Sequence, residues 1–120
     1  MVKVLMLVGD FVESLEVYGV MFALQCCGIQ VDTCCPDKNT GDKVQGAVHD
    51  FTDFQTYEEK KGHLIPITLN FESVNPGDYD GLWIPGGRAP EYLRTKPKVV
   101  EIVNYFLTQN KPIGAMCHGA

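Results

Sequence analysis

The sequence lacks the features that mark nucleic-acid-binding and membrane proteins. No cluster of lysines and arginines forms a basic stripe, and the formal net charge is -5 with a pI near 5.0. An acidic chain of this kind is repelled by phosphate backbones and anionic lipids, so we expect neither nucleic acid nor membrane as a partner. The apolar start at residues 1–8 is too short for a signal-peptide core or a membrane span, and Gly9 and Asp10 end it. We therefore predict a cytoplasmic protein.

The five cysteines fit neither a disulfide framework nor a zinc site. Their number is odd, and four of them form two vicinal pairs, Cys26 with Cys27 and Cys34 with Cys35. Vicinal cysteines lack the two-residue spacer around which a zinc knuckle folds. We interpret these four as packing residues of a helix and a strand, and we predict no metal site elsewhere. Only Cys117 has a local context suited to chemistry.

The first third of the sequence predicts a β-α-β unit. An apolar strand covers residues 1–8, and an alternating strand covers residues 29–34. Between them, apolar residues recur at helical spacing: Val17, Val20, Met21 and Leu24. Ser14 is the expected N-cap of this helix and Gly28 its terminator. This spacing is typical of parallel strands joined by a crossover helix.

The rest of the sequence continues the alternation, without a repeat or a linker. Residues 36–63 predict a loop with short strands, and residues 64–70 have strand character. We expect a buried strand at residues 81–85, the clearest helix at residues 98–110 and a last strand at residues 112–116. The predicted apolar face of that helix comprises Val99, Ile102, Val103, Phe106 and Leu107. The pattern indicates one α/β domain with a doubly wound, mostly parallel sheet of the flavodoxin-like sandwich type.

Cys117 follows the last predicted strand and directly precedes His118 and Gly119. A buried strand that delivers a thiol into a tight turn is typical of a nucleophile elbow, and backbone N–H groups at such a turn stabilise a thiolate. Because sites of doubly wound sheets form beyond the carboxyl ends of the strands, we interpret Cys117 as a nucleophile rather than a buried structural cysteine. His118 has two open roles, a general base or a packing and substrate contact, since neighbours on a strand face opposite sides.

Other polar positions near the strand ends give weaker signals. Gly86 and Gly87 let a ligand approach backbone amides, as in an oxyanion hole, although Pro-Gly-Gly is also a common turn. Taken alone, the remaining candidates have ordinary explanations as solvated charges or surface histidines: Glu13, Glu16, Glu91, His49 and His63.

Three segments resemble the DJ/PfpI superfamily, small cytosolic α/β proteins that include intracellular proteases, glyoxalase III enzymes and protein deglycases. The segments are residues 12–16, 79–93 and 116–119, and the resemblance follows the whole chain in order. Residues 47–63 resemble the insertion of the plant tandem-domain glyoxalase III branch. Members of the superfamily continue well past the elbow, so the resemblance implies that residues 1–120 form one DJ/PfpI-like domain without its C-terminal part.

The resemblance implies roles for the acid and base residues. Cys117 is the nucleophile, and Glu16 is the carboxyl group that hydrogen-bonds the thiol and shares its proton. His118 and Glu16 are the two candidates for the proton-transfer base. Glu91 matches the acid that orients His118 across a subunit interface in protease-like members. Such a composite site implies a homo-oligomer or a tandem partner domain.

The resemblance also implies an oxyanion hole. The backbone amides of Gly87 and His118 form it, and Gly86 and Arg88 complete the substrate-binding segment.

The function that this resemblance favours is a glutathione-independent glyoxalase, which converts methylglyoxal to lactate or glyoxal to glycolate, or a related protein deglycase. The substrate is a small aldehyde, and no metal or organic cofactor is expected, because a thiol and an acid/base pair suffice for a redox-neutral isomerisation. Two alternatives stay open. One is a cysteine peptidase that uses Cys117, His118 and Glu91, and the other is an oxidative-stress chaperone or redox sensor in which Cys117 is oxidised.

Overall fold

Two sheets share this α/β domain, which the computed structural model describes over residues 1–120. In chain order the elements are β1 (Lys3–Leu7), β2 (Val12–Glu13), α1 (Ser14–Cys26), β3 (Gln30–Cys34), β4 (Lys43–Asp50), β5 (Glu58–Pro66), β6 (Gly81–Ile84), α2 (Ala89–Leu93), α3 (Pro97–Thr108) and β7 (Ile113–Ala115). The larger sheet is entirely parallel, with strand order β3-β1-β6-β7. The smaller sheet has the order β2-β4-β5. The predicted α/β architecture with a mostly parallel sheet is confirmed.

The core lies around β1, as its apolar sequence predicts. Leu5, Met6 and Leu7 are completely buried, which is typical of a central parallel strand covered on both faces. Helix α3 begins with Pro97 in its first turn and buries Val99, Ile102 and Phe106 against this core. Leu107 was predicted on the same face, and that prediction is wrong. Its side chain is 63% exposed.

Helix α1 has a different N-cap from the predicted one. Glu13 is the N-cap residue, and its Oε2 accepts a hydrogen bond of 3.0 Å from the N–H of Glu16. Ser14 lies inside the first turn, where it is buried and its Oγ has no hydrogen-bond partner. Gly28 adopts φ +76 just after the helix, so the predicted terminator is confirmed. None of the helices combines the length and the apolar character needed to cross a lipid bilayer.

Residues 36–63 differ most from the sequence prediction of a loop with short strands. Strands β4 and β5 form a long antiparallel hairpin, with a register shift between Gln45 and Ala47. Strand β5 ends at Pro66, so strand character does not extend to residue 70. The prediction failed because β5 begins with four charged residues and most of its side chains are exposed, so no apolar alternation marks it. Its stability comes from pairing with β4 and from cross-strand side-chain contacts.

The cysteine prediction is half correct. Cys34 and Cys35 are buried, and desolvation raises the pKa of Cys34 to about 12 and that of Cys35 to about 11. Cys26 and Cys27 are exposed instead of packed. They lie beyond Leu24, the last residue of α1 that packs against the core.

Candidate active site

Cys117 stands on a strained turn at the end of β7. Its φ is +56, in the left-handed region that costs a non-glycine residue about 1–2 kcal/mol. Met116 is still extended, and a single 3-10 turn follows over Cys117–Gly119. Any side chain at Gly119 would collide with the carbonyl oxygen of Ile84, so the turn is pressed against the end of β6. The thiol is exposed, which combines strain and accessibility in the way a nucleophile requires.

Glu16 is held beside Cys117 by two hydrogen bonds, one to its carboxylate and one to its carbonyl oxygen. Its Oε1 accepts a 2.7 Å hydrogen bond from the N–H of Gly86, and its carbonyl oxygen accepts a 2.9 Å hydrogen bond from Nε1 of Trp83. A Cβ at Gly86 would lie 2.6 Å from Cβ of Cys117 and 2.7 Å from Oε1 of Glu16. Gly86 is therefore the spacer that lets the two side chains approach one another. The carboxyl group is engaged with the Gly86 amide, and no hydrogen bond joins it to the thiol.

One cavity of about 330 Å³ is lined by most of the predicted site residues. Its walls come from the start of α1, the β4–β5 hairpin and the elbow, and they comprise Glu13, Leu15, Glu16, His49, Phe51, Tyr57, Gly87, Cys117 and His118. Gly86, Arg88 and Glu91 do not line it. The thiol thus faces a mixed environment of carboxyl, imidazole and aromatic groups.

Two backbone N–H groups at this cavity have no acceptor. Gly87 is buried with φ +75, and its N–H takes part in no backbone hydrogen bond. A side chain there would collide with the carbonyl oxygen of Phe11 and approach the nitrogen of Glu13 to 2.6 Å, so only glycine fits. In the elbow, the 3-10 turn uses the N–H groups of Gly119 and Ala120 and leaves that of His118 free. Unpaired amides beside a nucleophile are the donors that an oxyanion hole needs.

His118 and Glu91 approach each other within a single chain. Nδ1 of His118 lies 3.8 Å from Oε1 of Glu91, and their side chains are 53% and 63% exposed. The separation exceeds hydrogen-bond length, so the two side chains approach one another without a hydrogen bond. The resemblance implied this pairing across a subunit interface. Here the two side chains approach within one chain, and the implied oligomer stays a prediction.

Arg88 contacts a carboxylate instead of facing the cavity. Its Nε and a terminal nitrogen donate to the two carboxylate oxygens of Glu59 at 2.9 and 2.5 Å, a bidentate pair. The guanidinium also lies 4.7 Å from the ring centroid of Phe11. These hydrogen bonds lower the pKa of Glu59, and a weaker one from His49 adds to the effect. Arg88 therefore links the hairpin to the segment after β6, and its expected role in substrate binding stays a prediction.

His49 is the cavity residue that sequence reasoning missed. We interpreted it as a loop or surface histidine, but it lies on β4, its side chain is only 14% exposed, and it lines the cavity of Cys117. Its place depends on the pairing of β4 with β5, which no local pattern revealed. The resemblance of residues 47–63 to a family insertion was the one available signal. The structure brings no three His, Cys, Asp or Glu side chains together as metal ligands.

Comparison with known proteins places this architecture in a family. The DJ-1/PfpI family model matches residues 2–120. Protein DJ-1 homolog D of Arabidopsis thaliana is 46% identical over 117 residues, which cover 98% of this chain and 30% of that protein. Deglycase PfpI of Pyrococcus furiosus is 45% identical over 60 residues, which cover 50% of this chain and 36% of that protein. The matched residues thus span about a third of the length of each of these two relatives.

A solved structure shows the same fold. The oxidised DJ-1 protein of Toxoplasma gondii matches with a TM-score of 0.77 and 22% sequence identity, over 99% of this chain and 57% of that one. The family match over residues 2–120 and the shared fold agree, and the chain belongs to the DJ-1/PfpI family.

Proposed function

We propose that this chain carries the nucleophilic half of a cysteine-dependent enzyme that acts on small dicarbonyl aldehydes without glutathione. The observation that carries the proposal is the shared cavity of Cys117, Glu16 and the unpaired amides of Gly87 and His118. A reactive thiol, a carboxyl group and an anion-binding pair of donors are the groups that addition to an aldehyde needs. The deglycase name of the relative from Pyrococcus furiosus supports the same class of chemistry.

The first step is addition of the Cys117 thiolate to the aldehyde carbon of methylglyoxal. A sulfur–carbon bond forms, and the carbonyl π electrons move to oxygen as an alkoxide. The N–H groups of Gly87 and His118 stabilise that charge, and the carboxyl group of Glu16 supplies the proton that completes the hemithioacetal.

The second step moves hydrogen between neighbouring carbons. A base removes the proton from the former aldehyde carbon, and the electron pair forms an enediol with the ketone carbon. Return of a proton to the ketone carbon gives a lactoyl thioester, so one carbon is oxidised and its neighbour is reduced by the same two electrons. Water then breaks the sulfur–carbon bond, which releases lactate and regenerates Cys117. No external oxidant or reductant takes part.

Removal of early glycation adducts from proteins would use the same nucleophile. Such adducts are hemithioacetals and aminocarbinols of the same aldehydes; when the protein thiol or amine leaves, the aldehyde is regenerated and the Cys117 thiolate adds to it as in the first step. The chain's family relatives named deglycase make this a natural extension. A peptidase role is the second candidate, and the approach of His118 to Glu91 at 3.8 Å is the observation that favours it.

A small-aldehyde assay with the full-length protein tests the proposal. We expect lactate from methylglyoxal in the absence of glutathione, with loss of activity in Cys117→Ala and in Glu16→Ala. Casein cleavage that Glu91→Ala abolishes, without any aldehyde turnover, would instead establish the peptidase. Absence of both activities would overturn the enzymatic proposal.

A further inference from the structure

We propose that His49 is the catalytic acid/base residue that carries the proton between the two substrate carbons, with Glu59 and Arg88 as positioning residues. The inference rests on the proposed function, because it assigns one step of that reaction. It comes from the geometry of the β4–β5 hairpin.

The hairpin register places His49 directly opposite Glu59. The two residues are Cα partners in the antiparallel ladder, and Nε2 of His49 lies 3.4 Å from Oε2 of Glu59. Because a carboxylate only accepts, the Nε2 atom carries the proton in this long hydrogen bond. In a neutral imidazole, Nδ1 is then the unprotonated nitrogen, which can accept a proton from a substrate.

The ring of His49 is held on a second side by an aromatic side chain. Its centroid lies 4.6 Å from that of Tyr57, and the imidazole is 14% exposed. A largely buried imidazole that packs against an aromatic ring loses little orientational freedom when substrate binds, which is the condition for efficient proton transfer.

Glu59 itself is fixed by a cation from outside the hairpin. The bidentate pair with Arg88 uses both carboxylate oxygens, so the carboxylate stays ionised and cannot rotate away from His49. Arg88 directly follows Gly87, the residue with the unpaired amide. The hydrogen-bonded series Arg88–Glu59–His49 therefore connects the segment that carries the Gly87 amide to the imidazole that lines the cavity. A carboxylate that hydrogen-bonds an imidazole is also the arrangement used by nucleophilic enzymes.

The other two candidate bases are less well placed for this step. Oε1 of Glu16 already accepts the Gly86 N–H, and its carboxyl group is assigned to the alkoxide. The side chain of His118 is 53% exposed, and its nearest acid is 3.8 Å away. His49 is the only imidazole of the cavity with a hydrogen-bonded carboxylate. The titratable groups that share the cavity with it are Glu13, Glu16, Tyr57, Cys117 and His118.

The step balances within the protein. Nδ1 of His49 takes the proton from the carbon bonded to Cys117 sulfur, and the released electron pair forms the enediol. The imidazolium that results is stabilised by Glu59, and it returns the proton to the neighbouring carbon as the thioester carbonyl forms. His49 ends neutral, and no electrons leave the substrate.

The test compares kinetics of full-length variants on methylglyoxal. We expect His49→Gln to lower kcat by about 100- to 10,000-fold, the usual contribution of a general base, with KM changed less than about threefold. Added imidazole should restore part of the activity of His49→Ala, an effect that a purely structural role would not produce. Glu59→Gln should lower kcat less, and the double variant His49→Gln/Glu59→Gln should be no slower than His49→Gln, because the two residues act as a unit.

His63→Gln is the matched control. His63 lies on the neighbouring strand of the same hairpin, packs edge-on to Tyr18 and does not line the Cys117 cavity. We expect its kcat to equal that of the wild type, and we expect all variants to react with iodoacetamide at Cys117 as fast as the wild type.

The outcomes separate the two proposals. A kcat of His49→Gln within about threefold of wild type, or a slow His49→Ala that imidazole does not rescue, overturns the role of His49. If Cys117→Ala is inactive in the same experiment, the proposed function stands without it. If the wild type forms no lactate, or Cys117→Ala retains turnover, both proposals fail.

Discussion

The carboxylate of Glu16 and the thiol-bearing Cβ of Cys117 are separated by a single glycine, Gly86. The Gly86 N–H donates to Glu16 Oε1 at 2.7 Å, and a methyl group on its Cα would lie 2.6 Å from Cys117 Cβ. The close approach of acid and nucleophile therefore depends on the absence of a side chain at a position that is remote from both in sequence. Substitution of Gly86, compared with substitution of a glycine elsewhere in the chain, tests whether this close approach is needed for activity.

Gly86→Ala should reduce aldehyde turnover by about 100-fold, because a displacement of about 1 Å at a catalytic group has that effect. The overpacking should also lower the free energy of unfolding by about 1–3 kcal/mol. Steady-state kinetics and urea denaturation measure the two effects. Gly19→Ala is the control, since a Cβ there has Leu15 Cδ1 at 3.9 Å as its nearest neighbour, and the exposed helix should gain about 1 kcal/mol with unchanged activity. Equal activity in both variants would contradict the spacer role.

Backbone strain at Cys117 gives a second prediction. Cys117→Gly relieves the positive φ of +56, whereas Cys117→Ala keeps it. Glycine relieves about 1–2 kcal/mol but increases the entropy of the unfolded chain by an amount worth about 0.5–1 kcal/mol, so the glycine variant should be more stable than the alanine variant by up to about 1.5 kcal/mol. Both should be inactive. Urea denaturation of the two variants checks the difference, and a more stable alanine variant would argue against a left-handed elbow.

The five thiols should divide into two classes. Burial raises the pKa values of Cys34 to about 12 and Cys35 to about 11, so both stay protonated at about pH 8, close to the ordinary thiol pKa of about 8.5. Iodoacetamide should therefore modify the exposed residues Cys26, Cys27 and Cys117 in the native protein and spare the buried pair until denaturant is added. Peptide mass spectrometry identifies the sites. Rapid native-state labelling of Cys34 or Cys35 would show that the β3 end is not packed as described.

Acid stability should depend on Glu59. Its pKa in the folded state is lowered, first by the Arg88 hydrogen bonds, so the pair adds stability above the unfolded carboxyl pKa of about 4.3. That stability is lost as the pH falls through the lower folded-state value, since the unfolded state binds the proton more readily. In Glu59→Gln, the melting temperature should therefore fall less steeply than in the wild type as the pH is lowered. Glu58→Gln is the control, because Glu58 only approaches Lys60 at 3.9 Å, and an equal change in both variants would refute the specific effect.

The parallel sheet was predictable because its signals are local. The run around Leu5 and the helical spacing of Val99, Ile102 and Phe106 each identify one element without knowledge of its partners. Cys117 was predictable for the same reason, since strand, turn and glycine are consecutive in sequence.

The hairpin wall of the site was not predictable from local pattern. Strand β5 begins with charged residues on both faces, and it is stabilised by its pairing with β4 and by the contact of Glu59 with Arg88. His49 reaches the cavity only through that long-range pairing. The bidentate pair of Arg88 with Glu59 also joins residues that are far apart in sequence, so no local pattern could predict it.

Covalent capture on Cys117 during turnover tests the central claim most directly. The full-length protein is mixed with methylglyoxal, quenched with acid within one turnover and digested for mass spectrometry. We predict that the peptide with Cys117 gains the mass of one methylglyoxal, that hydroxylamine releases it as a lactohydroxamate, and that Cys26→Ala behaves identically. Lactate formation with Cys117 unmodified, or undiminished turnover by Cys117→Ala, would contradict the account.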